Sequence, residues 1–166
     1  MMKQIKTLLI AAVALIGMQN MNAQSKTAHV DIAEITNKMP AIIDAQNQLK
    51  KLGETYNKEY NTMVTEYKAK IEKYEKEAST QTDASNQTRK LEVDDMGKRI
   101  GDYQENAQKE LQKKEADMMQ PLVDKVKASI SKVGKAKGFQ YILNTADLLL
   151  ADGTDITPDV KKDLGF

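Results

Sequence analysis

The chain has 166 residues, 25 Lys and Arg against 24 Asp and Glu, six Tyr, two Phe, no Trp and no Cys. That balance excludes a strongly charged binder of nucleic acid, which would carry a basic excess. The missing cysteine excludes a disulfide framework and a cysteine-borne lipid, and the scarcity of aromatic residues argues against a large globular core.

The first stretch reads as an export signal over residues 1–23. Lys3 and Lys6 precede the apolar run Leu8–Ile16, and Met21-Asn22-Ala23 leads into a polar segment. That order is the signature of a secretory signal peptide, and the run is shorter than the roughly 20 residues of a membrane span. Removal of residues 1–23 takes away two lysines and no acids, leaving 23 basic and 24 acidic residues, a net charge of −1. Residues 24–40 come next. Ala28, Val30 and Ile32 alternate with His29 and Asp31, a strand pattern. It places His29, the single histidine, at a solvated strand position. Pro40 suits the first turn of a helix.

Residues 41–137 read as a helical hairpin. Ala45, Leu49, Leu52, Tyr56, Tyr60, Met63, Tyr67, Ile71, Tyr74 and Ala78 form one stripe spanning 33 residues in nine steps, an eleven-residue repeat. The polar run near 80–86 has no apolar period and reads as the tip. A second stripe, through Met96, Ile100, Tyr103, Ala107, Leu111, Met118 and Leu122, has the same spacing. Two such helices joined by a short loop should pack antiparallel. The stripe tyrosines are expected in that seam. Pro121 should kink or break the second helix and is the candidate hinge. Residues 138–166 return to strand character at Phe139–Leu143 and Leu148–Ala151, with a terminal helix starting at Thr157-Pro158-Asp159. The fold class is therefore α+β, mostly α, with a long hairpin on a small strand body. That body is too small to bury a self-sufficient core, so it should associate. Its candidate residues are Val30, Ile32, Phe139, Tyr141, Ile142 and Leu149.

No constellation suggests catalysis, a cofactor or a metal. Asp152–Asp155 lacks the alternating oxygens of a calcium loop. Gly97-Lys98-Arg99 lacks the upstream glycine of a phosphate loop. Methionine adapts to varied partners, which marks Met63, Met96, Met118 and Met119 as candidate client contacts; the first three lie on the stripes.

The run Lys137-Gly138-Phe139-Gln140-Tyr141-Ile142-Leu143-Asn144, then Asp155-Ile156-Thr157-Pro158-Asp159-Val160, together with Ala28-His29-Val30-Asp31, resembles the Skp/OmpH family of periplasmic chaperones. The resemblance covers essentially the whole chain after residue 23. It implies a homotrimer whose strands form a small barrel. Three helical arms would enclose a cavity that holds unfolded outer-membrane β-barrel proteins without ATP. The near-neutral charge departs from the basic members of that family and weighs against contact with lipopolysaccharide or acidic membranes. The alternative is a structural coiled-coil spacer or adaptor with one fixed periplasmic partner.

Overall fold

A computed structural model of the chain describes residues 26–166, so the export signal and its cut after Ala23 lie outside the described residues. The elements in chain order are β1 (Thr27–Val30), α1 (Ile32–Lys38), α2 (Pro40–Glu77), a 3-10 turn (Ala78–Thr80), α3 (Asp83–Ala136), β2 (Tyr141–Asn144), a second 3-10 turn (Thr145–Asp147), β3 (Thr154–Asp155) and α4 (Thr157–Leu164). The chain divides into two compact units, residues 36–125 and the segments on either side of them.

The first unit is the helical hairpin. α2 has 38 residues, or about 57 Å at 1.5 Å per residue. Pro40 opens it, where a missing N–H removes no helical bond. As contacts climb α2 from Gly53 through Tyr56 and Tyr67 to Lys70, their partners on α3 descend from Leu111 through Tyr103 and Gly97 to Glu92. The helices are therefore antiparallel. The tip is shorter than the polar run suggested, because several of its residues are caps. The Thr82 hydroxyl accepts the Ser85 N–H at 3.2 Å, which starts α3 within the expected loop. The Asn86 amide donates to the Ala78 carbonyl at 3.0 Å and closes the turn. α3 then continues for 54 residues through Pro121 without a break. The expected interruption is absent: proline deletes one backbone bond, and the remaining turns carry the helix across it.

The second unit is a three-stranded sheet with helices on one face. All pairings are parallel, in the order β2-β1-β3. Ala28 lies opposite Ile142 and Val30 opposite Asn144, so these four share a face. That face meets the end of α3, where Gly134 lies directly against Ile142. The helix stops with Gly138 at φ 74° and the Phe139 N–H returning to the Gly134 carbonyl at 2.9 Å. The core of the unit is Ala28, Val30, Ile35, Val126, Val133, Ile156 and Val160.

Two expectations for this unit are corrected. Leu148–Ala151 forms no strand; the third strand is Thr154–Asp155, and Leu149 and Leu150 are exposed in the loop before it. His29 is buried rather than solvated, at 9 % exposure. It lies on the central strand, flanked by Leu143 and Asp155, and Gly153 packs against its ring.

The Asp-Ile-Thr motif closes the unit. The Thr157 hydroxyl donates to Asp155 Oδ1 at 2.5 Å and accepts the Asp31 N–H at 2.9 Å. Asp155 also accepts the Thr157 N–H at 2.8 Å. One side chain thus joins the end of β1 to the start of α4. The far end of α4 is held by Asp163, which accepts from the Ser129 hydroxyl at 2.7 Å and from the Lys132 ammonium. Lys132 first, and Ser129 second, hold the Asp163 carboxyl below its ordinary pKa. A carboxylate depressed in the folded state adds stability above its unfolded pKa and loses it as pH falls through the folded value. Acidification from neutral to about pH 3 should therefore loosen α4, and Asp163→Asn should flatten that dependence. Amide exchange of residues 157–164 against pH checks this. The effect should be small, because the Lys132 side chain of the pair is largely solvated.

Candidate functional site

Two surfaces stand out. The first is the hairpin itself. From Gln46 to Lys125 no residue is buried. Ala45, at the start of the first stripe, is buried, but within this span each stripe residue is wetted on its flanks, since two helices cannot cover each other as a third layer would. The stripes, expected to be consumed in the seam, are only half covered.

Polar groups pin the pair at intervals. Near the tip, Glu92 accepts from both the Lys70 ammonium and the Tyr74 hydroxyl. Lys70 first and Tyr74 second lower the Glu92 pKa. Arg89 donates to Glu77 at 2.8 Å and stacks over the Tyr74 ring at 4.6 Å. Further along, the Tyr103 hydroxyl donates to Glu59 at 2.7 Å, and its ring meets Tyr56 edge to face at 6.4 Å. Burial first, then the Glu59 carboxylate, push the Tyr103 phenol up to about 12. Tyr56 is raised by burial and by nearby Glu110.

A cleft of about 270 Å³ opens beside that tyrosine pair. Gly53 on α2 and Ala107 on α3 leave the space, and the rings of Tyr56, Tyr60 and Tyr103 wall it. Its rim carries the amides of Asn57, Gln104 and Gln108, and no charged residue lines it. A neighbouring cleft of about 410 Å³ differs: it brings Met63 and Met96 together beside Ile100, but among Glu66, Lys70, Glu92, Asp95 and Arg99. Two of the four candidate methionines thus share one site. Met118 and Met119 are half-buried on α3 and line neither cleft. The tyrosine cleft was not foreseen as a site. Its signal was present in two small residues, Gly53 beside the first stripe and Ala107 on the second.

The second surface is the open face of the sheet. Tyr141 and Leu143 point away from the Ile142 face and are 61 % and 43 % exposed. Leu149 and Leu150 stand exposed in the loop. Among the residues expected to drive association, Tyr141 and Leu149 are exposed, Ile32 and Phe139 half-buried, and Val30 lies in the protomer's own core. Ile142 packs on Gly134 of the same chain. Leu143 and Leu150 were not singled out in advance. Only the centre of this face is covered, where Gly153 packs on His29, and that is unusual, since parallel sheets are normally covered on both faces.

Among the described residues no helix is long and apolar enough to cross a membrane, and no group of three or more His, Cys, Asp or Glu could hold a metal ion.

A family model described as "Outer membrane protein (OmpH-like)" matches residues 26–164. A search of curated proteins found no match. Among solved structures, the chain resembles a candidate outer membrane chaperone (OmpH-like) from Caulobacter crescentus CB15. The TM-score is 0.76 at 15 % identity, over 86 % of this chain and 85 % of that one. At that identity the likeness is one of fold.

Proposed function

The chain belongs to the OmpH-like outer membrane protein family, and from that premise we propose that it is an ATP-independent periplasmic holdase that keeps unfolded outer-membrane β-barrel proteins from aggregating. The observation that carries this reading is the hairpin without a buried residue from Gln46 to Lys125. A helical pair that long, with its apolar stripes half exposed, has no core of its own to protect. It offers an unfolded chain many weak apolar contacts interleaved with charge. Such contacts hold by area and leave the client mobile, with no catalytic group required.

The working form is a homotrimer in this reading. Its support is the exposed apolar residues of the sheet unit, Tyr141 and Leu143 on the open sheet face and Leu149 and Leu150 in the loop before β3, which need covering. Ile142, committed to its own helix, is a poor place to test association; Leu143 is a good one. Pro121 would ease bending of α3, since its ring removes one helical bond.

The test is dilution of a urea-unfolded β-barrel protein into buffer with and without the chain, without ATP. Light scattering should fall in proportion to added protein. Undiminished scattering would refute the holdase reading, and tight capture of one folded periplasmic protein instead would favour the spacer or adaptor. In sedimentation the chain after residue 23 should run at three times its monomer mass. Leu143→Lys combined with Leu149→Lys should give monomer, and an unchanged mass would remove this face from the interface.

A further inference from the structure

We propose that the tyrosine cleft of the hairpin seats a single aromatic side chain of an extended, uncharged peptide segment. This rests on the holdase reading and gives it a preferred side-chain class. Three observations converge. The first is volume: about 270 Å³ lies just below the roughly 300 Å³ at which small-molecule pockets begin, so the space suits one large side chain. The second is charge. The hairpin is dense in Lys and Glu, and the neighbouring cleft carries five charged residues, yet none lines this one. A phosphate or carboxylate would find no cation here, so a lipid headgroup is not the occupant. A neutral group loses least on entering.

The third observation is the chemistry of the walls. Tyr103 donates its hydroxyl proton to Glu59, so it presents ring to the cleft. Tyr56 meets it edge to face, which sets the two planes about 79° apart and offers a third ring both a face and an edge. On the rim, Asn57, Gln104 and Gln108 make no side-chain bond among the described residues. A side-chain amide both donates and accepts, as a peptide group does, so the rim matches the backbone on either side of an inserted residue. An extended strand sends alternate side chains to opposite sides. One aromatic can enter while its neighbours stay in water, as the alternating segments of a membrane β-barrel would allow.

Gly53 supplies the test. A Cβ there meets only Leu111 Cδ2, at the ordinary distance of 3.8 Å, so a side chain can start at this position without strain, and the flexible Gly53→Met can extend into the cleft with better helix propensity. Gly101 is the control: a Cβ there meets nothing within 4 Å, and it lies outside the cleft. Two neutral nine-residue peptides serve as probes, one alternating Phe with Ser and the other Ala with Ser. Their binding to the full chain is read by fluorescence anisotropy, with circular dichroism checking that each variant stays helical.

The Phe peptide should bind about tenfold tighter than the Ala peptide. Gly53→Met should erase that ratio, Tyr60→Ala should reduce it, and Gly101→Met should keep it. Equal binding of the two peptides to the unmodified chain, or an unchanged ratio in Gly53→Met, overturns the cleft. Suppression of β-barrel aggregation, measured alongside, separates the two ideas. Suppression without peptide preference sinks the cleft alone, and peptide preference without suppression supports the cleft while sinking the holdase.

Discussion

Gly134→Leu should unfold the sheet unit at temperatures the unmodified chain tolerates. A Cβ on Gly134 would sit 2.1 Å from Ile142 Cδ1 and 3.2 Å from Cγ1, well inside contact. Gly134→Ala meets mainly the tip of a flexible side chain, so a rotamer change at Ile142 can absorb much of it. Leucine brings three further carbons into the same space between α3 and β2. Overpacking of this kind costs about 3 kcal/mol or more, a large part of the stability of so small a unit. Ile142→Ala removes the obstructing atoms, so the double variant should recover much of the loss. Thermal unfolding of the four proteins closes the cycle. Additive losses would mean that the Gly134–Ile142 contact does not govern helix–sheet spacing. Amide exchange should show β1 and β2 deprotected in Gly134→Leu, while residues around Tyr67 and Gly97 stay as they were.

Thr157→Val should be nearly as damaging, although it changes shape hardly at all. Thr157 is 2 % exposed, and its hydroxyl serves two partners at once. Valine leaves the Asp31 N–H without its acceptor and Asp155 without its hydroxyl donor. Asp155 is exposed and can turn to water, so the loss falls on the half-buried Asp31 N–H, and a buried polar group deprived of its partner costs about 1–3 kcal/mol. Thr157→Ser keeps the hydroxyl and should lose much less. The expected marker is local: the Asp31 amide should exchange much faster in Thr157→Val and close to normally in Thr157→Ser. Equal losses in the two variants would assign the effect to the missing methyl, and the hydrogen-bonded junction would not be what holds α4 to β1.

The sequence by itself determined the hairpin. The eleven-residue spacing of Tyr56, Tyr67 and Ala78 and of Met96, Ala107 and Met118 is a local property of helices, and only an antiparallel return satisfies two such stripes joined by a short polar turn. It also determined where α2 and α4 begin, since Pro40 and Pro158 act within one turn of themselves. The run Thr80–Asn86 was legible as a turn, but not as a set of caps, because Thr82 and Asn86 show their role only once Ser85 and Ala78 are beside them.

Tertiary structure alone decided the rest. Whether Leu148–Ala151 or Thr154–Asp155 pairs with β1 depends on register across more than 120 residues of chain, and no local pattern encodes it. His29 reads as solvated by alternation; being on the central strand, beneath Gly153, buries it. Ile142 and Leu143 are equally apolar in sequence, and only the pleat sends one against Gly134 and leaves the other bare. The tyrosine cleft has the same origin. Periodicity states which residues face the partner helix, but not that Gly53 and Ala107 leave the wall between three rings unfilled. A void is a property of two surfaces together, and one chain segment read alone carries only half of it.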